Sequence, residues 1–354
     1  MLKKITIILI MSFLLVGLKG KVFAQDLSTA TSIINGITVN WQYELNESNQ
    51  IEDLKCTNPI DLTGNITLPS TLDGKTVISL KEEAFKGANI TGLEIPDSIK
   101  KIGYNAFKDC ESLTSVELGQ IEEIRFDVFK NCPKLTAITI PKTLVSGPTS
   151  VGGVFTGTTN LTSITFEDGL TQIPGGILRT CTGITKVTIP NSVTKINECA
   201  FQNSGLTEII IPNSVKEIDF YAFKDCEKLE KVTILNEKAE MGWFNTFSEK
   251  DSVFENHNEN LTIYCYENST AARYAIANNI KYIYLTQSPN SSTEDNTGIL
   301  EEDNIIKNEN TKDTTVATTK LPYTGIIKIS LSIFIISIAS IIFYIKNKKI
   351  RDIE

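Results

Sequence analysis

The chain has 354 residues, 41% hydrophobic and 21% charged, with 34 Lys and Arg against 42 Asp and Glu. A net charge of −8 sets its surface against phosphate backbones, so no nucleic-acid partner is expected. One histidine and the lack of any Cys-x-x-Cys pair exclude the common multi-ligand zinc motifs, and no complete Gly-x-x-x-x-Gly-Lys-Thr phosphate-binding loop or Gly-x-Ser-x-Gly elbow occurs.

Taken in chain order, the first element is an export signal. Lys3 and Lys4 precede an apolar run over 5–18, and Val22 and Ala24 stand where signal peptidase reads small residues. Residues 1–24 are therefore expected to be removed by a cut between Ala24 and Gln25, which makes the chain a secreted one. Residues 25–65 follow as an N-terminal cap region, in which Ile37–Leu45 alternates like a strand and carries Trp41 and Tyr43.

Residues 66–285 are built from an internal repeat. Phe85, Phe107, Phe129, Phe155, Phe201 and Phe223 recur at intervals of 22, 22, 26, 46 and 22, with Leu178 in the place of a missing Phe. Ile189-Pro190-Asn191-Ser192-Val193-Thr194-Lys195-Ile196 before Ala200-Phe201 returns as Ile211-Pro212-Asn213-Ser214-Val215-Lys216-Glu217-Ile218 before Ala222-Phe223. Apolar residues two apart, such as Ile138 and Ile140, point to one side of a strand while Thr139 points out. Pro141, Pro190 and Pro212 end those strands, having no N–H for a ladder. The second pair, Val193 with Ile196, packs an opposite wall, and the Phe fills the interior. A period of about 22 residues with several fixed apolar positions marks a solenoid whose single turns cannot bury their own apolar side. Eight such turns stack to a rod of roughly 35–40 Å.

These residues resemble the BspA-type, or treponemal-type, leucine-rich repeats of bacterial surface proteins. The resemblance includes an ending, Tyr264-Cys265-Tyr266-Glu267-Asn268-Ser269-Thr270-Ala271-Ala272-Arg273-Tyr274-Ala275, that looks like the family's short terminal helix. It implies a β-rich leucine-rich repeat solenoid with short strands, minor helix and capped ends. The turn over 141–160 departs from the pattern, with Gly147, Pro148, Gly152 and Gly153 and no clear Val-x-x-Ile pair. It reads either as a looser rung or as a loop that meets a partner.

Beyond the repeats the composition changes. Residues 286–320 are polar and nearly free of aromatics, which predicts a disordered linker with a reach of about 115 Å when extended. Leu321-Pro322-Tyr323-Thr324-Gly325 then precedes an apolar segment, 326–345, and a basic tail, 346–354. At about 1.5 Å per residue a helix over 326–345 crosses a hydrocarbon core of about 30 Å, with the tail kept inside by its cations. Residues 321–354 resemble the sorting signal of Gram-positive cell-wall proteins. The resemblance implies that a sortase cuts between Thr324 and Gly325 and joins Thr324 to peptidoglycan, so membrane retention through 326–345 is transient. Without the two signals, residues 25–324 carry a net charge of about −15.

The remaining candidates are few. Cys56, Cys110, Cys132, Cys181, Cys199, Cys226 and Cys265 are odd in number. Cys110, Cys132, Cys181 and Cys226 fall near multiples of the repeat, as buried small residues or as disulfides between neighbouring rungs. His257 sits in a polar loop and reads as a solvated surface residue. Thr91, Thr114, Thr136, Thr162, Thr185 and Thr207 share one register and Thr139, Thr165 and Thr188 another, as a hydroxyl-rich wall or as plain sheet chemistry. Just after the Ile of the opposite wall come Tyr104 and Phe126, the candidate binding surface, with partial burial on the neighbouring rung as the other reading. No cofactor and no enzymatic activity are expected. The expected role is that of a cell-wall-anchored Gram-positive surface protein whose solenoid binds an extracellular protein or cell-surface ligand. A spacing protein of the envelope and, more weakly, a carbohydrate-active enzyme are the alternatives.

Overall fold

A computed structural model describes residues 27–148, 152–242 and 253–286. They all fall within one compact unit, 1–308, while a second unit, 309–354, lies wholly outside the described residues. The signal-peptide junction at Ala24 and Gln25, the linker beyond Thr286 and the segment 321–354 are outside them too.

The described residues open with a hairpin, β1 (Ser28–Ile34) and β2 (Ile37–Leu45), antiparallel through a two-residue turn. Asn35 and Gly36 hold φ of 51 and 77, the left-handed pair of a type I′ turn. β2 pairs antiparallel with β3 (Ile51–Cys56), and from β3 onward strand pairing in both walls is parallel. Parallel stacking thus begins inside 25–65, one rung before the 66 expected from the repeat.

Two walls run the length of the rod. One holds the longer strands, from Thr63–Thr67 through Asn89–Glu94, Ala137–Ile140 and Glu208–Ile211 to Lys281–Tyr284. The other holds two-residue strands such as Lys101–Ile102, Glu123–Ile124, Lys195–Ile196 and Glu217–Ile218. They mark about nine turns, one more than the repeat count predicts. The second wall breaks where the sequence pattern breaks. Leu144 is buried in the Val position, but the bridge from Glu123 to Ser146 puts Gly147 opposite Ile124. A Cβ there would lie 2.4 Å from the Gly175 carbonyl oxygen, so an Ile cannot stand in that rung.

Between the walls lies a ladder of rings. Phe85, Phe107, Phe129 and Phe155 stack at centroid distances of 5.2, 5.5 and 5.7 Å, and Phe201, Phe223 and Phe254 at 5.1 Å each. Leu178 fills the gap, fully buried. These spacings follow the rise of about 4.8 Å between rungs with a small lateral offset that suits aromatic faces. Trp41 closes the ladder edge-on at one end. Tyr274 does so at the other, from the terminal helix α1 (Thr270–Ala277), whose N-cap Ser269 accepts from the Ala272 N–H.

Beside the ladder runs a column that explains the cysteines. Cys110, Cys132 and Cys226 donate their S–H to the carbonyls of Phe85, Phe107 and Phe201 at 3.4, 3.3 and 3.0 Å. Thr158 gives its hydroxyl to the Phe129 carbonyl at 2.6 Å. All seven thiols are buried and free of disulfides. The position therefore holds a small side chain with a donor: the Phe85 and Phe201 carbonyls also accept from the Ala88 and Ser204 N–H at 3.0 and 3.1 Å, so the thiol adds a second bond there. Just before it the backbone turns left-handed at Asp109, Asn131, Asn203, Asp225 and Asn256, residue types that adopt that region readily. Asn131 and Asn256 also bond the side chains of Asp109 and Asp225, each at 2.8 Å.

Gly119 stands where Pro96 and Pro141 stand in neighbouring turns, yet Leu118 and Ile121 are three apart instead of four. The shortened turn forces φ to 53, with the place of a Cβ only 2.3 Å from the Ile95 carbonyl oxygen. Replacing Gly119 with the Pro of its neighbours should cost roughly 3 kcal/mol or more, because Pro cannot reach a positive φ and the carbonyl cannot recede. Urea unfolding of Gly119→Pro checks this; a midpoint equal to the parent's would show that the turn reorganises freely.

Candidate functional site

Each turn of the second wall places a side chain two residues after its buried apolar residue. After Ile102 and Ile124 these are Tyr104 and Phe126, half-buried and packed together with centroids 4.4 Å apart at 44°. The sequence offered exposure or partial burial, and partial burial is what the stacking produces. The Arg125 guanidinium carbon lies 5.5 Å from the Tyr104 centroid, so the pair carries a cation beside it.

Next to Tyr104 the wall opens into a groove of about 360 Å³, lined by Asp53, Ser79, Glu82, Lys101, Tyr104 and Arg125 among others. Gly103 helps to form its floor. A Cβ there would sit 2.6 Å from the Glu82 nitrogen and 2.7 Å from the Lys81 carbonyl carbon, so only glycine permits the rung beneath to pass so close.

The groove's charges are unevenly satisfied. Lys81 pairs with Glu44 at 2.9 Å, and Glu123 takes Arg125 at 2.5 Å and Lys101 at 3.7 Å. Asp53 forms no ion pair among the described residues. Burial pushes its carboxyl above the usual carboxylate range, opposed by the charge of Lys81. Asp53 is held at φ 52, with its N–H donating to the Ser79 hydroxyl at 2.9 Å. Sequence reasoning missed Asp53: it is remote in sequence from Tyr104, and only the stacking of β3 under Ser79–Leu80 and Lys101–Ile102 brings them to one groove. The chemistry on offer is polar recognition beside an aromatic surface, with carboxylates and cations interleaved over four successive rungs.

The other candidates sort differently. Thr91, Thr114, Thr136, Thr162 and Thr185 are exposed and Thr207 half-buried, in one column as the register predicted. Thr114 and Thr207 donate their hydroxyls to the carbonyls of Thr91 and Thr185, the preceding members of that column, which is sheet chemistry. Thr139, Thr165 and Thr188 form the exposed second column. His257 is half-buried, with Nδ1 2.8 Å from the Asn258 carbonyl, and so is less solvated than its polar loop suggested. No cluster of His, Cys, Asp and Glu among the described residues has the arrangement of a metal site. The sortase residues 321–325 and the signal-peptidase junction lie outside the described residues.

Stacked short parallel strands, a left-handed turn in successive rungs and a ring column broken only by Leu178 define a leucine-rich repeat solenoid. The chain belongs to the BspA type leucine-rich repeat family, whose repeat matches in six copies over 60–150 and 149–273. Among solved structures it is similar to a leucine-rich repeat protein of T. pallidum at 23% identity, covering 55% of this chain and 83% of that one with a TM-score of 0.38. It is also similar to a leucine-rich cell surface protein of Faecalibacterium prausnitzii at 18% identity, covering 74% and 96% with a TM-score of 0.33. A leucine-rich repeat protein of Bacteroides capillosus matches at 26% identity over 36% of this chain and 94% of that one, with a TM-score of 0.32. No curated protein matches the chain.

Proposed function

We propose that this chain is a surface-displayed binding protein, held on the Gram-positive cell wall, whose solenoid grips an extracellular protein or cell-surface ligand through the groove beside Tyr104 and Phe126. The observation that carries the reading is the conjunction at one place of a stacked aromatic pair, a flanking guanidinium and a carboxylate, Asp53, with no ion pair among the described residues. Aromatic and arginine side chains dominate the energetics of protein interfaces, and a carboxylate raised by burial gains most from a cation brought by a partner. Membership of a family of surface-protein repeats supports the extracellular setting.

Display follows from the two terminal signals. Export removes 1–24, sortase cuts between Thr324 and Gly325, and peptidoglycan receives the Thr324 carbonyl, with 326–345 holding the chain in the membrane until then. Thr324→Ala should move the protein from the wall fraction to the membrane or medium, and unchanged wall linkage would sink the anchoring scheme.

The binding face is tested by titrating the purified chain against matrix proteins, glycans and whole cells, with Tyr104→Ala and Phe126→Ala beside it. We expect Tyr104→Ala to weaken saturable binding by a factor on the order of 30, the scale of a hot-spot truncation of about 2 kcal/mol. Binding that both variants leave intact would place the contact elsewhere on the rod. No binding to any probe would favour the spacing role.

A further inference from the structure

Among the described residues the N-terminal hairpin ends the second-wall sheet on an unpaired edge. β1 is the outermost strand of the order that runs from β1 through β2 and β3 into the rungs. Its register with β2 is fixed by the turn at Asn35 and Gly36, which pairs Ile34 with Ile37. In such a hairpin the closing pair is hydrogen-bonded and the pairs alternate. Ser28, Ala30, Ser32 and Ile34 therefore spend their N–H and C=O groups on β2, while those of Thr29, Thr31 and Ile33 point away from it.

Among the described residues nothing blunts this edge. Its sequence, Ser-Thr-Ala-Thr-Ser-Ile-Ile, has no charge and no Pro, and no bulge interrupts its pairing. Residues 27–43 contain no charged side chain at all, in a protein that is acidic elsewhere. Leu27 is 46% exposed and Ile33 75% exposed, both on the outward-facing side of the hairpin. The edge at the other end of the rod, Lys281–Tyr284, by contrast opens on a lysine.

We propose that β1 pairs antiparallel with β1 of a second copy of this chain across a two-fold axis at Thr31. In that register Thr31 faces the partner's Thr31, and Thr29 faces the partner's Ile33. The groups that point away from β2 are then the ones that meet, giving about six interchain hydrogen bonds. Leu27 and the partner's Ile33 come into diagonal neighbourhood on one face, so the two exposed apolar side chains cover each other. The uncharged stretch 27–43 is also where two acidic rods approach with least repulsion. A strand that faces itself in this way makes a closed dimer, since the same patch serves both copies. Two rods joined at their N-terminal ends present two grooves at once, which raises the avidity for a repetitive surface without any new contact. This last consequence alone rests on the binding role proposed above, and the dimer can fail without it.

The test is the mass of the full chain in nonionic detergent by light scattering, at concentrations up to about 100 µM, for parent, Thr31→Pro and Ile33→Lys. Thr31 lends its N–H to no bond with β2, so Pro there spares the hairpin, and Ile33→Lys keeps the backbone whole should Pro disturb it. We expect a dimeric parent, monomeric variants with unchanged melting, and amides of Thr29, Thr31 and Ile33 whose exchange slows as concentration rises. A parent monomeric throughout, or a dimer that survives both substitutions, overturns the proposal. Amides protected in a monomer would assign the edge to another segment of this same chain and overturn it as well. Ligand binding measured on the monomeric variants reads the groove separately from the dimer.

Discussion

Raising the pH from 9 to 11 is expected to unfold the solenoid. All seven thiols are buried, and burial pushes each above its ordinary value of 9.0: Cys56, Cys199 and Cys265 to about 11, Cys110 and Cys181 to about 12, with Cys132 and Cys226 raised in the same direction. The sign follows from proton counts. Below pH 9 both states hold the thiol proton and stability is unaffected. Above it the unfolded chain loses protons that the folded chain keeps, so stability falls as pH rises until the folded-state values are reached. Each such thiol contributes a slope of about 1.4 kcal/mol per pH unit, so several acting together reach on the order of 5 kcal/mol per unit. That is comparable to the whole stability of a domain. Urea midpoints at pH 7, 8, 9 and 10 measure it. A triple variant, Cys110→Ser, Cys132→Ser and Cys226→Ser, should lessen the decline while remaining folded at pH 7, since Ser keeps an O–H that can bond each Phe carbonyl. A parent midpoint that stays level through pH 10 would mean that the thiols ionise without unfolding.

Phe107→Ala is the second large effect. Phe107 is fully buried, with Phe85 stacked on one face and Phe129 on the other at 5.2 and 5.5 Å. Its removal leaves a cavity that walls tied rung to rung cannot close, and a loss of about 3–5 kcal/mol is expected. Phe107→Leu should cost far less, about 1 kcal/mol, because Leu178 already fills the same slot in its own turn. A solenoid couples only neighbouring turns, so the damage is local and shows as a lower midpoint for the whole rod or as its division into two transitions. Urea unfolding monitored by circular dichroism distinguishes these. Phe107→Ala within 1 kcal/mol of the parent would show that the ladder is not what holds the turns together.

Most of the architecture could be read from periodicity. The spacing of Ile138 from Ile140 placed both inside a strand pair, and the Phe at every turn placed the interior, because those positions repeat whatever the intervening residues are. Trp41 was legible as a cap for the same reason, lying on the apolar side of an alternating strand. Phe254 was not, since it follows Phe223 by 31 residues and the insertion hid its phase; only its stacking at 5.1 Å identifies it as a rung. The cysteines were legible as a column but not as donors. What a thiol bonds depends on which carbonyl of the preceding turn lies within its reach.

The same division runs through the candidate site. Tyr104 and Phe126 could be chosen from the sequence because they occupy one repeat position. Their mutual packing, half-burial and neighbouring Arg125 follow from stacking. By itself the sequence determined a chain in which apolar residues at fixed intervals demand a stack of turns, because no single turn can bury its own apolar side. Tertiary structure decided the groove, the place of Asp53 in it, the left-handed Gly119 and, among the described residues, the outermost position of β1. Each depends on which backbone lies one rung away, and that distance is set by the stack and not by any local spacing.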